Sequence, residues 1–163
     1  MIVRIAKEQD MKALLDIYNY EVEHGVATFD LEPKTMEERM EWFYAHNIGN
    51  HPLIVAEEDG RVAGYASLSA YRDKEAYAAT VELSVYIDPE YRGRGVATML
   101  MKEILEEARR RTDIRTVVSV ITSGNDASIR LHEKFDFIYC GSMTQVGEKF
   151  GRMLGVDYYQ LLV

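Results

Sequence analysis

The chain has 163 residues, 47% of them apolar, which suits one compact domain with a sizeable core and leaves little room for two. Its 27 acidic against 19 basic side chains give a formal charge of -8, which argues against a general affinity for nucleic acid or anionic membrane. Any anionic ligand must therefore be held by a local arrangement. The opening MIVRIAKEQD is charged by its fourth residue, and no later stretch is long and apolar enough to span a bilayer, so a cytoplasmic protein is expected. Cys140 is the only cysteine, so no intrachain disulfide can form. It reads as a buried structural thiol, because nothing adjacent would depress its pKa.

Taken in order, IVRIA reads as a short strand, and Met11, Leu14, Leu15, Tyr18 and Val22 then recur at helical spacing. A loop from Gly25 to Pro33 follows. Thr35 with Glu38 three residues later forms a capping box, opening a helix whose apolar positions are Met36, Met40, Phe43 and Tyr44. LIVAE after Pro52, the Asp59-Gly60 turn signal and the run from Val62 to Leu68 predict an antiparallel hairpin. VELSVYI is a further strand, YRGRGVA a glycine-rich turn, and Val96, Met99, Leu100, Ile104 and Ala108 carry a helix to about Arg111. TVVSVI is strongly β-prone, NDASIRLHEKF predicts a short helix with Asn125 near its start, and FIYCGSM and VDYYQLLV read as closing strands. No repeat, low-complexity tract or linker interrupts this alternation, which predicts a single α/β domain over residues 1–163 built on a mixed sheet.

The glycine turn lies between strand and helix, where the free N–H groups and positive dipole end of a helix favour anions. Gly93 and Gly95 have no β-carbon, so a diphosphate can approach the amides closely, and Arg92 and Arg94 add local positive charge. Such a turn, taken alone, equally serves an ordinary chain reversal. Neither GxxxxGK followed by Ser or Thr nor GxGxxG is present, which removes the commoner nucleotide loops.

VYIDPEYRGRGVATMLM resembles the acyl-CoA pyrophosphate loop of the GNAT superfamily of N-acetyltransferases, with signature Arg or Gln, two residues, Gly, one residue, Gly or Ala. Arg92, Gly95 and Ala97 fill it. The similarity runs over the whole chain, since TVELSVYI, SGNDASIRLHEKFDF and VGEKFGRMLGVDYYQLL resemble the phosphinothricin and methionine sulfoximine acetyltransferase branch. The resemblance implies a mostly antiparallel central sheet flanked by helices, with acetyl-CoA as cofactor. It also implies that Val85, Tyr86 and Ile87 pair with the pantetheine arm, that Gly93, Arg94, Gly95, Val96, Ala97 and Thr98 cradle the pyrophosphate, and that Asn125 and Lys134 contact the cofactor. Pantetheine carries two amides and can pair with a strand edge as a peptide does.

Transfer from a thioester to an amine needs an uncharged nitrogen, hence a proton acceptor. Glu82, in the apolar strand VELSV, is the candidate base, since burial there would raise its pKa; the alternative is a strand carboxylate facing solvent. The resemblance places the family's base at this position. A backbone N–H of the same strand, at Val85, is the candidate partner for negative charge growing on the thioester oxygen. Where many relatives carry a tyrosine acid, RLHEKF has His132, which is either a proton donor or a hydrogen-bonded structural histidine. His24, His46 and His51 read as surface or loop residues, and no His/Cys/carboxylate spacing suggests a metal. Arg72, with Asp73 and Lys74, is the candidate for holding an acceptor carboxylate, against the alternative of an ordinary charged loop; Phe29 is a pocket or core residue. Lys149-Phe150-Gly151-Arg152 resembles a stretch that family dimers use near the active site, which implies a homodimer. Asp136 replaces the family's usual glycine and is tolerable there if φ is positive. A small amino-acid-like acceptor is the leading expectation. An acetyltransferase for protein N-termini or other amines, and a non-catalytic acyl-CoA sensor, are the alternatives.

Overall fold

The computed structural model describes residues 1–163. A short strand β1 (Ile2–Ile5) leads into helices α1 (Met11–His24) and α2 (Met36–Tyr44); β2 (Leu53–Glu58), β3 (Arg61–Ala70) and β4 (Thr80–Ile87) follow. Then come α3 (Val96–Arg110), β5 (Thr116–Thr122), α4 (Asp126–Lys134), β6 (Ile138–Lys149) and β7 (Arg152–Leu162). The strands form one sheet in the order β1-β2-β3-β4-β5-β7-β6. Every junction is antiparallel except β4-β5, so the sheet is mixed and mostly antiparallel, as expected.

Local chemistry sets the turns and caps. Asp59 and Gly60 sit at φ +51 and +78, the two positive values that a two-residue loop needs to match the twist of β2 and β3. The Thr35 hydroxyl accepts from the Glu38 amide at 3.1 Å while the Glu38 carboxylate accepts from the Thr35 amide at 3.0 Å, completing the capping box of α2. Asn125 caps α4 by accepting from the Ser128 amide at 3.3 Å. Asp136 has φ +68, the left-handed conformation in which Asp is among the better-tolerated residues.

Side-chain alternation on β2 and β3 feeds two cores. Ile54, Ala56, Ala66 and Leu68 face α3, whose Leu100, Met101, Ile104, Leu105 and Ala108 are fully buried at helical spacing. Leu53, Val55 and Tyr65 face the other way, onto Met11, Leu14 and Ile17 of α1. Three expectations are corrected. Of the four apolar positions expected on α2, Met40 and Phe43 pack half-buried against the α1 core with Trp42, but Met36 and Tyr44 are exposed and the one fully buried residue is Arg39, whose guanidinium lies over the Trp42 ring. Cys140 is exposed, since it is the unpaired residue where the β6-β7 register shifts between Tyr139 and Gly141 on an edge strand. His46 is buried, with Nδ1 donating to the Trp42 carbonyl at 2.6 Å and Nε2 accepting from the Ser69 hydroxyl at 2.7 Å.

Candidate active site

β4 and β5 pair over only three residues, from Thr80 with Thr116 to Glu82 with Val118, and then part. β4 stays joined to β3 as far as Ile87, and β5 stays joined to β7 as far as Thr122. The edge of β4 beyond Glu82 therefore keeps main-chain groups without a strand partner, a place where a ligand bearing amides can dock. The gap widens into a cavity of about 840 Å³. Val85, Tyr86 and Ile87 form one wall; Arg92, Gly93, Gly95, Val96, Ala97 and Thr98 close one end; Asn125 stands at the start of α4.

Gly93 and Gly95 have φ +72 and +80, a left-handed conformation costly for other residues, and nothing lies within 4 Å of where a side chain would begin. That openness leaves the first amides of α3 unpaired and approachable, as a diphosphate requires. The fit to coenzyme A is thus made by this chain's own backbone. Two predicted contacts lie elsewhere: Arg94 turns away to pair with Glu58 at 2.7 Å, and Lys134 is exposed off the cavity wall. Arg92 is on the wall and pairs with Glu21 at 3.2 Å.

On the α1 face of the sheet is a second cavity of about 570 Å³. Its floor is Ser67 and Ser69 of β3 with Glu82, Ser84 and Tyr86 of β4, the alternate residues that point away from α3. Ser84 and Tyr86 line both cavities, so β4 is the partition between them. Glu82 stands opposite Ser69, and burial alone pushes its carboxyl above the usual value. Burial likewise raises the Tyr86 hydroxyl well above its ordinary range.

His132 is buried between α4 and β5, with Nδ1 donating to the Ser128 carbonyl at 2.7 Å and Nε2 accepting from the Ser119 hydroxyl at 2.9 Å. Burial lowers its pKa, so the neutral ring has its single proton committed to Ser128. Arg72, Asp73 and Lys74 are exposed between β3 and β4 and line neither cavity; the Arg72 guanidinium lies 5.1 Å from the Tyr71 ring centre. Phe29 lies against Gly147, where an added β-carbon would come within 2.5 Å of its ring, and it is on neither wall.

Several wall residues carried no sequence signal for this location. Arg39, Trp42, Tyr18 and His46 reach the second cavity from helices and their ends, and Ser119 reaches the first from β5; Arg152 of β7, on the stretch that the resemblance set near the active site, also lines the first. Lys149 is buried and donates to the Thr28 carbonyl at 2.9 Å, while the Thr122 hydroxyl donates to the Val26 carbonyl at 2.6 Å. These two bonds pin the α1-α2 loop, which contributes Val26 and Ala27 to one cavity and Thr28 to the other.

Two chambers sharing a splayed strand, one ending at open helix amides and the other holding a buried carboxyl, define a transferase that brings a diphosphate-bearing donor to a small polar acceptor. Residues 13–137 match the model of the Acetyltransferase (GNAT) family, and the chain belongs to that family. An L-methionine sulfoximine/L-methionine sulfone acetyltransferase from Salmonella typhimurium is 38% identical over 161 residues, covering 99% of this chain and 94% of its own. A phosphinothricin acetyltransferase from Sinorhizobium meliloti, solved in complex with AcCoA, superposes with TM-score 0.95 at 32% identity over 99% of this chain and 88% of its own. A ribosomal-protein-alanine N-acetyltransferase from Brucella melitensis superposes with TM-score 0.96 at 39% identity over the full length of both chains.

Proposed function

We propose that residues 1–163 act as one domain that moves an acetyl group from acetyl-CoA to the amino group of a small amino-acid-like acceptor of the phosphinothricin or methionine sulfoximine kind. The observation that carries this reading is the meeting of the two cavities at Ser84 and Tyr86, with the raised carboxyl of Glu82 on the acceptor side. When bound, acetyl-CoA supplies a thioester whose carbonyl carbon accepts a neutral amine. The β4 edge from Val85 to Ile87 and the amides of Val96, Ala97 and Thr98 would hold it, with Arg92 beside those amides on the same wall. Glu82 takes the ammonium proton of the acceptor, directly or through water, and the Val85 amide faces the charge that grows on the carbonyl oxygen. His132 is the weaker catalytic candidate: with both ring nitrogens engaged, it buttresses Ser119 and α4, so the thiolate would leave as the anion and the second proton, from the acylated nitrogen, would pass to it or to water. Arg94, Lys134, Arg72, Asp73, Lys74 and Phe29 lie off the two walls and are assigned at most indirect parts.

Thiol release from acetyl-CoA across a panel of free amino acids tests the reading. Glu82→Gln is expected to lower kcat by about 10² to 10⁴, the usual worth of a positioned base. An unchanged rate and pH profile would remove Glu82 from that role. The Brucella relative favours a second acceptor class, protein N-termini, and a peptide beginning with alanine should then outrun every free amino acid. Coenzyme A binding without turnover of any amine would support the sensor reading instead. A cytoplasmic setting fits the lone unpaired thiol, and no helix is long and apolar enough to cross a membrane.

A further inference from the structure

Within the acceptor cavity is a buried cation that has no counter-ion. Arg39 of α2 is only 8% exposed, and its guanidinium carbon lies over two rings, 4.2 Å from the Tyr18 centroid and 3.6 Å from the Trp42 centroid. Nη2 donates to the Tyr65 hydroxyl at 2.8 Å, itself part of a fully buried side chain. Nε is wholly buried with no acceptor, and no carboxylate forms an ion pair with any of the three nitrogens. Buried arginines are ordinarily matched by an acid, because a desolvated charge without one is strongly unfavourable. Asp30, which the Tyr18 hydroxyl engages, and Glu82 on the same wall both lie beyond ion-pair distance of Arg39. Contact with two rings and a hydrogen bond to Tyr65 hold the guanidinium in place before any ligand arrives.

We infer that Arg39 is the residue that recognises the carboxylate of the acceptor, and so sets the preference for amino acids over simple amines. This rests on the function proposed above and deepens it. A zwitterionic amino acid carries one cation and one anion; the cavity answers with a carboxyl on its strand floor, Glu82, and a cation on its helical wall, Arg39. The amine is directed to the side where the two cavities meet, and the carboxylate supplies the missing counter-ion. The exposed Arg72 can offer the same chemistry only from outside the wall, where water competes for it. Arg39 is a specificity residue here and takes no part in the proton transfer.

Three probes separate the possibilities: L-methionine sulfone, its carboxamide, and the amine lacking the carboxyl group altogether. With the parent protein the acid should be the best substrate. Arg39→Gln should lower kcat/KM for the acid by about 10- to 100-fold, the worth of hydrogen bonds to a charged group, while changing it for the amide and the plain amine by less than about 3-fold. Arg39→Lys should recover only part of the loss, because the planar fork is gone. Equal losses on all three probes would mean that Arg39 merely holds α2 to the sheet. Retention of the acid preference in Arg39→Gln, with its loss in Arg72→Gln, would overturn the inference in favour of Arg72. A second readout needs no turnover: Trp42 is the only tryptophan and stacks on Arg39, so its fluorescence should respond to the acid far more than to the amide, and not in Arg39→Gln. Should no free amino acid be acetylated while this Arg39-dependent response persists, the proposed acceptor class fails and the anion site stands. An absent response alongside intact turnover and unchanged acid preference in Arg39→Gln would end the anion site and leave the acceptor class.

Discussion

As the proposed base, Glu82 would couple activity to stability through a single property, its burial. Water is withdrawn from the carboxyl and no cation replaces it, so the neutral form is favoured in the fold and the pKa rises above its unfolded value. The sign of the linkage follows. A carboxyl with a raised folded pKa binds its proton more readily in the native state, so its contribution to stability is most favourable below the unfolded pKa and is lost as pH rises through the folded one. Above that range the fold carries the whole cost of a half-buried charge. Glu82→Gln is therefore expected to raise Tm at pH 7 to 8, with the gain vanishing near pH 3.5, where the unfolded carboxyl too is protonated. Thermal melts of both proteins over that range check it. A constant difference across pH, or a lower Tm for the variant at pH 8, would show that the carboxyl is not held in a poorly solvated place. The same burial predicts that kcat/KM climbs with pH through the raised Glu82 pKa, so the variant gains stability under the conditions where it loses rate.

The strand-turn-helix unit from β4 to α3 was the most legible part of the sequence. Glycine, the change from period two to period 3.6, and flanking arginines are local signals, and they locate the cavity end at Gly93 to Thr98. The acceptor cavity was far less legible. Its floor residues Ser67, Ser69, Glu82 and Ser84 are visible as polar interruptions in apolar strands, but Arg39 and Trp42 come from a short helix whose sequence advertises methionines and aromatics as its buried face, and His46 from just past its end. No local rule distinguishes an arginine that a tertiary aromatic sandwich will bury from one that water will hold, and by default arginine is assigned to the surface. The loop at Arg72 drew that assignment instead because its charge cluster is conspicuous in one dimension. The element-scale prediction concerns Gly95. With open space around it, Gly95→Ala meets no steric obstacle, and its cost is the ~1–2 kcal/mol of a left-handed alanine. Relaxation of that turn should tilt the first amides of α3 and weaken coenzyme A binding by about tenfold, measured by calorimetry. Unaltered affinity in a folded Gly95→Ala would show that the diphosphate sits elsewhere.

Across the whole molecule the sheet is finished at one end and unfinished at the other. β1 is four residues long and its edge is brief, whereas β6 spans twelve residues, bulges twice against β7 and leaves its outer edge unpaired. Ile138, Tyr139, Met143 and Val146 on β6, with Met153 on β7, are all at least 45% exposed, a density of apolar side chains that a lone edge strand normally avoids with charge or proline. The stretch runs into the Phe150-Gly151 turn beside Lys149 and Arg152, so a partner seated here would also steady the buried Lys149 that pins the α1-α2 loop and Arg152 on the wall of the first cavity. The homodimer that the resemblance implied is testable at this edge: an isologous contact through β6 and β7 would set the same apolar residues against their counterparts. Replacing Met143 and Val146 together by glutamate places like charges on both sides of such a contact and should convert a dimer to a monomer in sedimentation equilibrium at micromolar concentration. Neither side chain lines a cavity, so residual activity in the monomer reports how much the interface steadies the loop: a raised KM for acetyl-CoA is expected because Val26, Ala27 and Arg152 lie on that wall. A parent protein that sediments as a monomer, or a double variant that remains dimeric, would show that this edge is not where copies of the chain meet.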